Sequence, residues 1–290
     1  MDHYALKLFL HLSETLHFGR TGRACHISPS ALSRQIQRME GEVGCRLFER
    51  DNRKVTLTSA GLRFRYYARE ALQHWQELLD DLADEARTLR GELTIYCSVT
   101  ASLTVLPELL GAFKKAYPQV NIRLKTGDAS IAIKKVIDGD ADIAVAALPQ
   151  PLPKTLVFRV LTRISLEVIA PKIDWEYSKM LPEKIPWSQI PIILTEQGIA
   201  RKKIDAWFKK KKIKPNIYAQ VSSNEAILSM VNLGCGVGIV PSLAIENSSL
   251  GGRITRLNVN PFLSPYDVGI CIQKRRMVSR LLRAFWGING

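Results

Sequence analysis

Between Ser28 and Glu40 the chain carries side chains whose types could read nucleic acid: Ser-Pro-Ser-Ala-Leu-Ser-Arg-Gln-Ile-Gln-Arg-Met-Glu. Ser28, Ser30, Ser33, Arg34, Gln37 and Arg38 all offer hydrogen-bonding groups, and no carboxylate interrupts them before Glu40. Arg can donate twice to guanine, Gln can pair with adenine, and Ser can bond a base edge or a phosphate. A solvated helix face could look similar, although such faces usually include acids. Shortly after come Arg50, Arg53 and Lys54, set around an Asp51-Asn52 turn. Cations at a hairpin tip suit phosphates and the adjacent minor groove.

The rest of the chain is poor in the residues that enzymes use. All five histidines (His3, His11, His17, His26 and His74) precede residue 75. Residues 91–290 therefore hold no histidine base or ligand, and there is no HExxH, GxSxG or P-loop. Gly234-Cys-Gly-Val-Gly238 follows a helical stretch and lacks the GxGxxG spacing, so it is not a dinucleotide loop. Cys97 and Ser98 end a predicted strand without a histidine partner. No catalysis, cofactor or metal is expected. The five cysteines show no CxxC spacing and read as reduced thiols of a cytoplasmic protein. The first residues lack a secretory pattern, and no apolar run approaches the ~20 residues that span a bilayer.

A net charge of +14 suggests a polyanionic partner. Residues 1–65 hold 11 basic against 6 acidic side chains, and residues 91–290 hold 27 against 15. Much of the second excess is the run Arg201–Lys214, which reads as a solvated helix face and loop; a secondary nucleic-acid contact is the alternative. A ligand-free nucleoid protein would also be basic, but it would leave a 200-residue module without a task.

The elements that must position these residues can be read from periodicity. Ala5, Leu8, Phe9, Leu12 and Leu16 predict a helix over 2–16, and a short one is expected over 20–25. Ser28 is a good N-cap, and Pro29 fits the first helical position. Leu32, Ile36 and Met39 share the stripe opposite the polar face. Val55 and Leu57 alternate with polar residues as a strand. From Thr58 to Leu89 no proline intervenes, and Ala68, Leu72, Trp75, Leu79, Leu82, Ala86 and Leu89 step by fours and threes. Such a seam over a rod of roughly 45 Å predicts self-pairing. The candidate dimer contacts are Leu72, Trp75, Leu79 and Leu82.

Beyond residue 91 strands and helices alternate. Glu92–Ser98, Val120–Lys125 and Ala141–Ala146 read as strands, with helices over Leu103–Ala116 and Ala129–Asp138 between them. Strand signals recur at Pro191–Thr195, Asn216–Val221, Gly238–Val240 and Val268–Ile272. The series predicts an α/β domain with mainly parallel sheets. Ligands in such folds sit where strand ends meet helix starts, whose free amides suit a carboxylate. The candidate corners carry Ser98, Thr100 and Ala101, then Gln197 and Gly198, then Ser222, with Thr126 as a further one. Each could equally be an ordinary helix cap. Arg201 is either a carboxylate partner or a surface charge.

Three segments carry a family resemblance: Phe18–Glu40, Glu42-Val-Gly-Cys-Arg-Leu-Phe-Glu-Arg50 and Val55-Thr-Leu-Thr-Ser-Ala-Gly61. They keep Ala-Leu-Ser-Arg-Gln-Ile, Leu-Phe-Glu-Arg and Thr-x-Ala-Gly in order, and they resemble the LysR-type transcriptional regulators. Gly22 departs from the Ala that many members carry. The resemblance implies an N-terminal winged helix-turn-helix over 1–58, a long linker helix over 59–90 and a two-lobed, periplasmic-binding-protein-like α/β effector domain over 91–290. Lobe one would span 91–161 and 267–290, and lobe two 162–266. It further implies that Ser30, Ser33, Arg34 and Arg38 contact double-stranded operator DNA, with Arg50, Arg53 and Lys54 on the wing. A homodimer, a dimer of dimers and contact with RNA polymerase are implied as well. Gly91–Ala101, Lys125–Ala129, Gln197-Gly with Arg201, Ala206–Phe208 and Leu233–Gly238 are similar to one branch of that family. That branch activates the ketol-acid reductoisomerase gene of branched-chain amino acid synthesis, so the implied inducer is acetolactate or acetohydroxybutyrate, each a small carboxylate; a LysR-type regulator responding to a different small carboxylate is the alternative.

Overall fold

The computed structural model describes residues 2–50, 54–82, 89–178, 185–259 and 263–288. The chain packs as two compact units. One holds residues 1–91 with Ile137–Asp140 and Ser279–Leu281, and the other holds the remainder.

In the first unit, α1 (His3–Thr15) starts at Asp2, whose carboxylate accepts from the Ala5 amide at 2.7 Å. Ala5, Leu8, Phe9 and Leu12 are fully buried along it. α2 (Phe18–Ala24) begins two residues before the expected start, because His17 Nδ1 accepts from the Arg20 amide and supplies the cap. At Gly22 an added Cβ would lie 2.6 Å from the Ile27 carbonyl oxygen, so the turn after α2 approaches too closely for alanine. α3 (Pro29–Val43) begins as its sequence dictates: Ser28 Oγ accepts from the Ala31 amide, and Pro29 opens the helix. Leu32, Ile36 and Met39 seat it in a core with Phe9, Leu47, Phe48 and Phe64.

β1 (Phe48–Arg50) and β2 (Val55–Leu57) form an antiparallel hairpin, with Phe48 opposite Leu57 and Arg50 opposite Val55. Glu40 on α3 ties this hairpin down: its Oε1 accepts from the Leu47 and Phe48 amides at 2.8 and 3.0 Å. Thr58 then accepts from the Gly61 amide at 2.9 Å and starts α4 (Ser59–Leu82). A Cβ at Gly61 would sit 2.0 Å from the Leu47 carbonyl oxygen, so only glycine lets the helix leave the hairpin this closely.

The seam of α4 divides in two. Ala68 is buried and Leu72 packs partly against the head core. Trp75 stacks on His3 with ring centroids 4.6 Å apart and stays 42% exposed, beside exposed Leu78 and Leu79. Leu82 is the last described residue of α4, Ala86 lies outside the described residues, and Leu89 is not helical.

The second unit holds two five-stranded sheets. The strands in chain order are β3 (Gly91–Cys97), β4 (Val120–Thr126), β5 (Ile143–Ala147), β6 (Leu156–Ile164), β7 (Leu166–Pro171), β8 (Ile192–Thr195), β9 (Ile217–Val221), β10 (Val237–Pro241), β11 (Ile254–Leu257) and β12 (Tyr266–Gln273). The first sheet runs β4-β3-β5-β12-β6 and the second β11-β7-β10-β8-β9. The chain crosses from one to the other at Ser165, between β6 and β7, and returns in β12. The sheets are mixed, whereas the alternation suggested mainly parallel ones. β3 and β5 run parallel, as do β9, β8 and β10. β12 pairs antiparallel with β5 and β6, and β7 pairs antiparallel with β10 and β11; β7 and β12 are the strands that enter each sheet from its partner.

Helices cover both faces of the second sheet, which explains its nearly unbroken apolar strands. Ile192 and Leu194 of β8 pack with Ile204 and Phe208 of α8 (Ile199–Lys210). Ile193 turns the other way, onto Ile227, Leu228 and Val231 of α9 (Asn224–Asn232). Over the first sheet, the helix expected at Leu103–Ala116 is two: α5 (Val99–Thr104) and α6 (Leu106–Ala116), broken at Val105 just before Pro107. A single turn, Ala129–Ile131, leads into α7 (Ala132–Ile137). No helix among the described residues is long and apolar enough to cross a membrane.

Replacing Glu40 by Ala should leave two half-buried amides without their acceptor. We expect the head to lose about 1–3 kcal/mol of stability by chemical denaturation. A loss below ~0.5 kcal/mol would show that the carboxylate does not anchor the hairpin.

Candidate DNA-reading face and effector cleft

α3 can bury only one stripe, so the burial of Leu32, Ile36 and Met39 turns the opposite stripe outward. Ser28, Ser30, Arg34, Gln37 and Arg38 are exposed on it. Arg34 and Gln37 make no side-chain hydrogen bond among the described residues, which leaves their donors free. Arg38 is 76% exposed and meets Glu42 at 3.4 Å, a surface pair of little energy. Ser28 is partly engaged, capping α3 and lying 3.2 Å from the Ser30 hydroxyl.

Arg50 sits differently from the wing position expected of it. Its guanidinium donates to Ser33 Oγ at 3.1 Å, approaches Glu40 Oε2 at 3.5 Å and covers the Phe18 ring at 4.8 Å. Arg50 therefore braces the hairpin against α3 and α2, and Ser33 is its acceptor. Lys54, just before β2, is exposed, and Arg53 lies outside the described residues.

In the second unit the sheets face each other across a cleft of about 360 Å³, within the range of about 300–1,000 Å³ that holds small ligands. The first sheet contributes Ser98, Asp128 and Ser130, and the second Thr195, Gln197, Gly198, Ser222 and Asn224. These residues stand at strand ends and helix starts. Ser98 caps α5 through the Ala101 amide at 3.1 Å, and Ser223 caps α9 through the Ala226 amide at 3.2 Å. α8 differs. Its first residue follows Gly198 at φ 103°, which has no side chain to cap the free amides. Lys202 lines the cleft one turn into the same helix.

Of the expected effector residues, Ser98, Gln197, Gly198 and Ser222 line this cleft. Thr100 and Ala101 line a smaller hollow of about 70 Å³ that shares Ser98, Asn224 and Tyr266 with it. Thr126 and Arg201 line neither. Arg201 is occupied elsewhere: it holds Asp205 at 2.8 Å, the Thr195 carbonyl at 2.8 Å and Gln220 Oε1 at 2.6 Å. It braces α8 to its own sheet.

Two acidic residues that the sequence reading did not single out bridge the cleft. Asp128 Oδ1 accepts from the Ser130 amide at 2.8 Å, and its Oδ2 accepts from Gln197 Nε2 of the opposite lobe at 3.0 Å. Burial works against the Asp128 charge, but these donors outweigh it and hold its carboxyl below the usual carboxylate range. On the other side, Thr100 donates to Glu225 Oε1 at 2.7 Å and accepts from Asn224 Nδ2 at 3.1 Å. Thr195 Oγ1 is buried in the cleft wall without a hydrogen-bond partner. Only the cap-like placement of Asp128 before a helical turn was visible in the sequence. Burial pushes the Cys97 thiol up to about 11 and the Cys271 thiol to about 12, so neither is a nucleophile near neutral pH.

Known proteins match both units. Residues 3–62 fit the bacterial regulatory helix-turn-helix protein model of the lysR family, and residues 86–288 fit the LysR substrate binding domain. The chain is 44% identical to the HTH-type transcriptional regulator IlvY of Escherichia coli (strain K12), covering 99% of this chain and 98% of that protein. It is also 44% identical to the HTH-type transcriptional activator IlvY of Salmonella typhimurium, with 99% of both covered. Among solved structures, a full-length OxyR variant from Pseudomonas aeruginosa superposes with a TM-score of 0.70 at 23% identity, over 98% of this chain and 93% of that one. A helix-turn-helix head and a two-lobed ligand-binding unit in one chain, matched along nearly its whole length, place this protein in the LysR family of transcriptional regulators.

Proposed function

We propose that this regulator activates the ketol-acid reductoisomerase gene of branched-chain amino acid synthesis, with acetolactate or acetohydroxybutyrate as the inducer. The 44% identity with an activator named IlvY, over 99% of both chains, supports the pathway. The observation that carries the inducer class is the cleft itself. It combines the uncapped start of α8, the nearby Lys202 and an unpartnered buried hydroxyl at Thr195. An anionic carboxylate suits the first two, and a ligand oxygen or hydroxyl suits the third. The chain works as a binding protein in the cytoplasm and does no chemistry on its ligand: Ser98 is committed to its cap, and no histidine exists in this unit to activate it.

On DNA, Ser28, Ser30, Arg34, Gln37 and Arg38 enter the major groove, with Ser33 and Arg50 holding the geometry and Arg53 and Lys54 on the wing. Two chains pair through the exposed Trp75, Leu78 and Leu79 stripe of α4, with Leu82 continuing the same spacing. Two such dimers form a tetramer on one long operator. The inducer selects one lobe arrangement, which changes how the dimers sit on DNA and how they meet RNA polymerase.

Arg34→Ala should weaken specific operator binding by roughly 10–100-fold and nonspecific binding by less than about threefold, measured by mobility shift at fixed salt. Equal losses would show that Arg34 only positions the head. Acetolactate at about 100 times its Kd should stabilise the chain by about 2.7 kcal/mol, seen as a rise of several degrees in Tm, and should alter the footprint on the operator. An unchanged Tm and footprint would remove the inducer assignment.

A further inference from the structure

Asp128 is an unusual wall for a cleft that binds an anion. Its carboxylate lines the cavity and faces the α8 start from the opposite lobe. A carboxylate offers about four acceptor positions, and Asp128 turns them to the Ser130 amide, to Gln197 Nε2 and toward the Ser130 hydroxyl. One remains, and the group it takes must bring a proton. A ligand oxygen without hydrogen would meet only lone pairs and negative charge there.

We propose that Asp128 selects for effectors that carry a hydroxyl beside their carboxylate, and rejects otherwise similar acids that lack the hydroxyl. This rests on the effector reading of the cleft given above. The ligand's carboxylate takes the α8 amides and Lys202, and its 2-hydroxyl donates to Asp128. Gln197 keeps the carboxylate pointed into the cleft while joining the two lobes. A 2-oxo acid, or an acid with methyl in place of the hydroxyl, leaves Asp128 without that donor and adds repulsion. The cost of an unmatched charged acceptor makes the discrimination at least about tenfold. The cleft thereby separates a 2-hydroxy-3-oxo acid from the simple 2-oxo acids that a condensation would consume to make it.

The test is calorimetric binding to the full-length chain with a matched pair, 2-hydroxy-2-methyl-3-oxobutanoate and 2,2-dimethyl-3-oxobutanoate, which differ by hydroxyl against methyl. The native protein should prefer the hydroxy acid by about tenfold or more. In Asp128→Asn the Gln197 amide can rotate to accept, so the cross-lobe bond survives while the charge is lost. That variant should bind both acids within about threefold of each other. Native preference that persists unchanged in Asp128→Asn overturns the proposal, as does native binding of both acids without preference; in either case the effector cleft stands. Binding of neither acid to the native chain removes the effector reading itself and this proposal with it.

Discussion

The burial of Leu32, Ile36 and Met39 is the constraint on which the head depends. A helix that buries one stripe completely has no freedom to roll, so the opposite stripe is presented at a set angle. Three further contacts remove the remaining freedom. Glu40 bonds the first amides of the hairpin, Arg50 reaches back to Ser33, and Gly61 lets α4 leave against the Leu47 carbonyl. Arg34 and Gln37 thus stand on a surface whose orientation the packing of the head itself sets. A rigid reading surface loses less entropy on binding than one that must order itself.

The cleft follows the same logic with different donors. Two sheets, each covered by helices, bring strand ends and helix starts to one place. There the backbone supplies the unpaired donors, at the α8 start, while Asp128 and Glu225 supply acceptors that also link the lobes. Under the proposed function, a ligand that enters between such links changes their partners and makes the lobe arrangement sensitive to its presence.

Sequence periodicity made much of this legible. The α3 stripe, the hairpin, the strand–helix series and three of the cleft corners follow from local patterns, because caps and alternation are encoded within a few residues. What escaped depends on contacts between distant residues. Arg50 looks like a wing cation until it is seen beside Ser33 and Glu40. Arg201 looks available until Thr195, Asp205 and Gln220 are seen to occupy it. The α4 seam is a single heptad pattern in sequence, yet Ala68 and Leu72 serve the head while Trp75 and Leu79 remain outside. The antiparallel strands β6, β7 and β11 were hidden because they break the simple strand–helix alternation that marks their neighbours. Asp128 has the look of an ordinary cap, and only Gln197 across the cleft reveals its second contact.

The central claim is that α3 meets the bases with its outward stripe. Placing a photo-crosslinking residue at Gln37, in a chain that still binds its operator, tests this most directly. Irradiation should join position 37 to bases in the major groove of one half-site. Full operator binding with no crosslink to bases, or crosslinks confined to DNA outside the half-sites, would contradict the account.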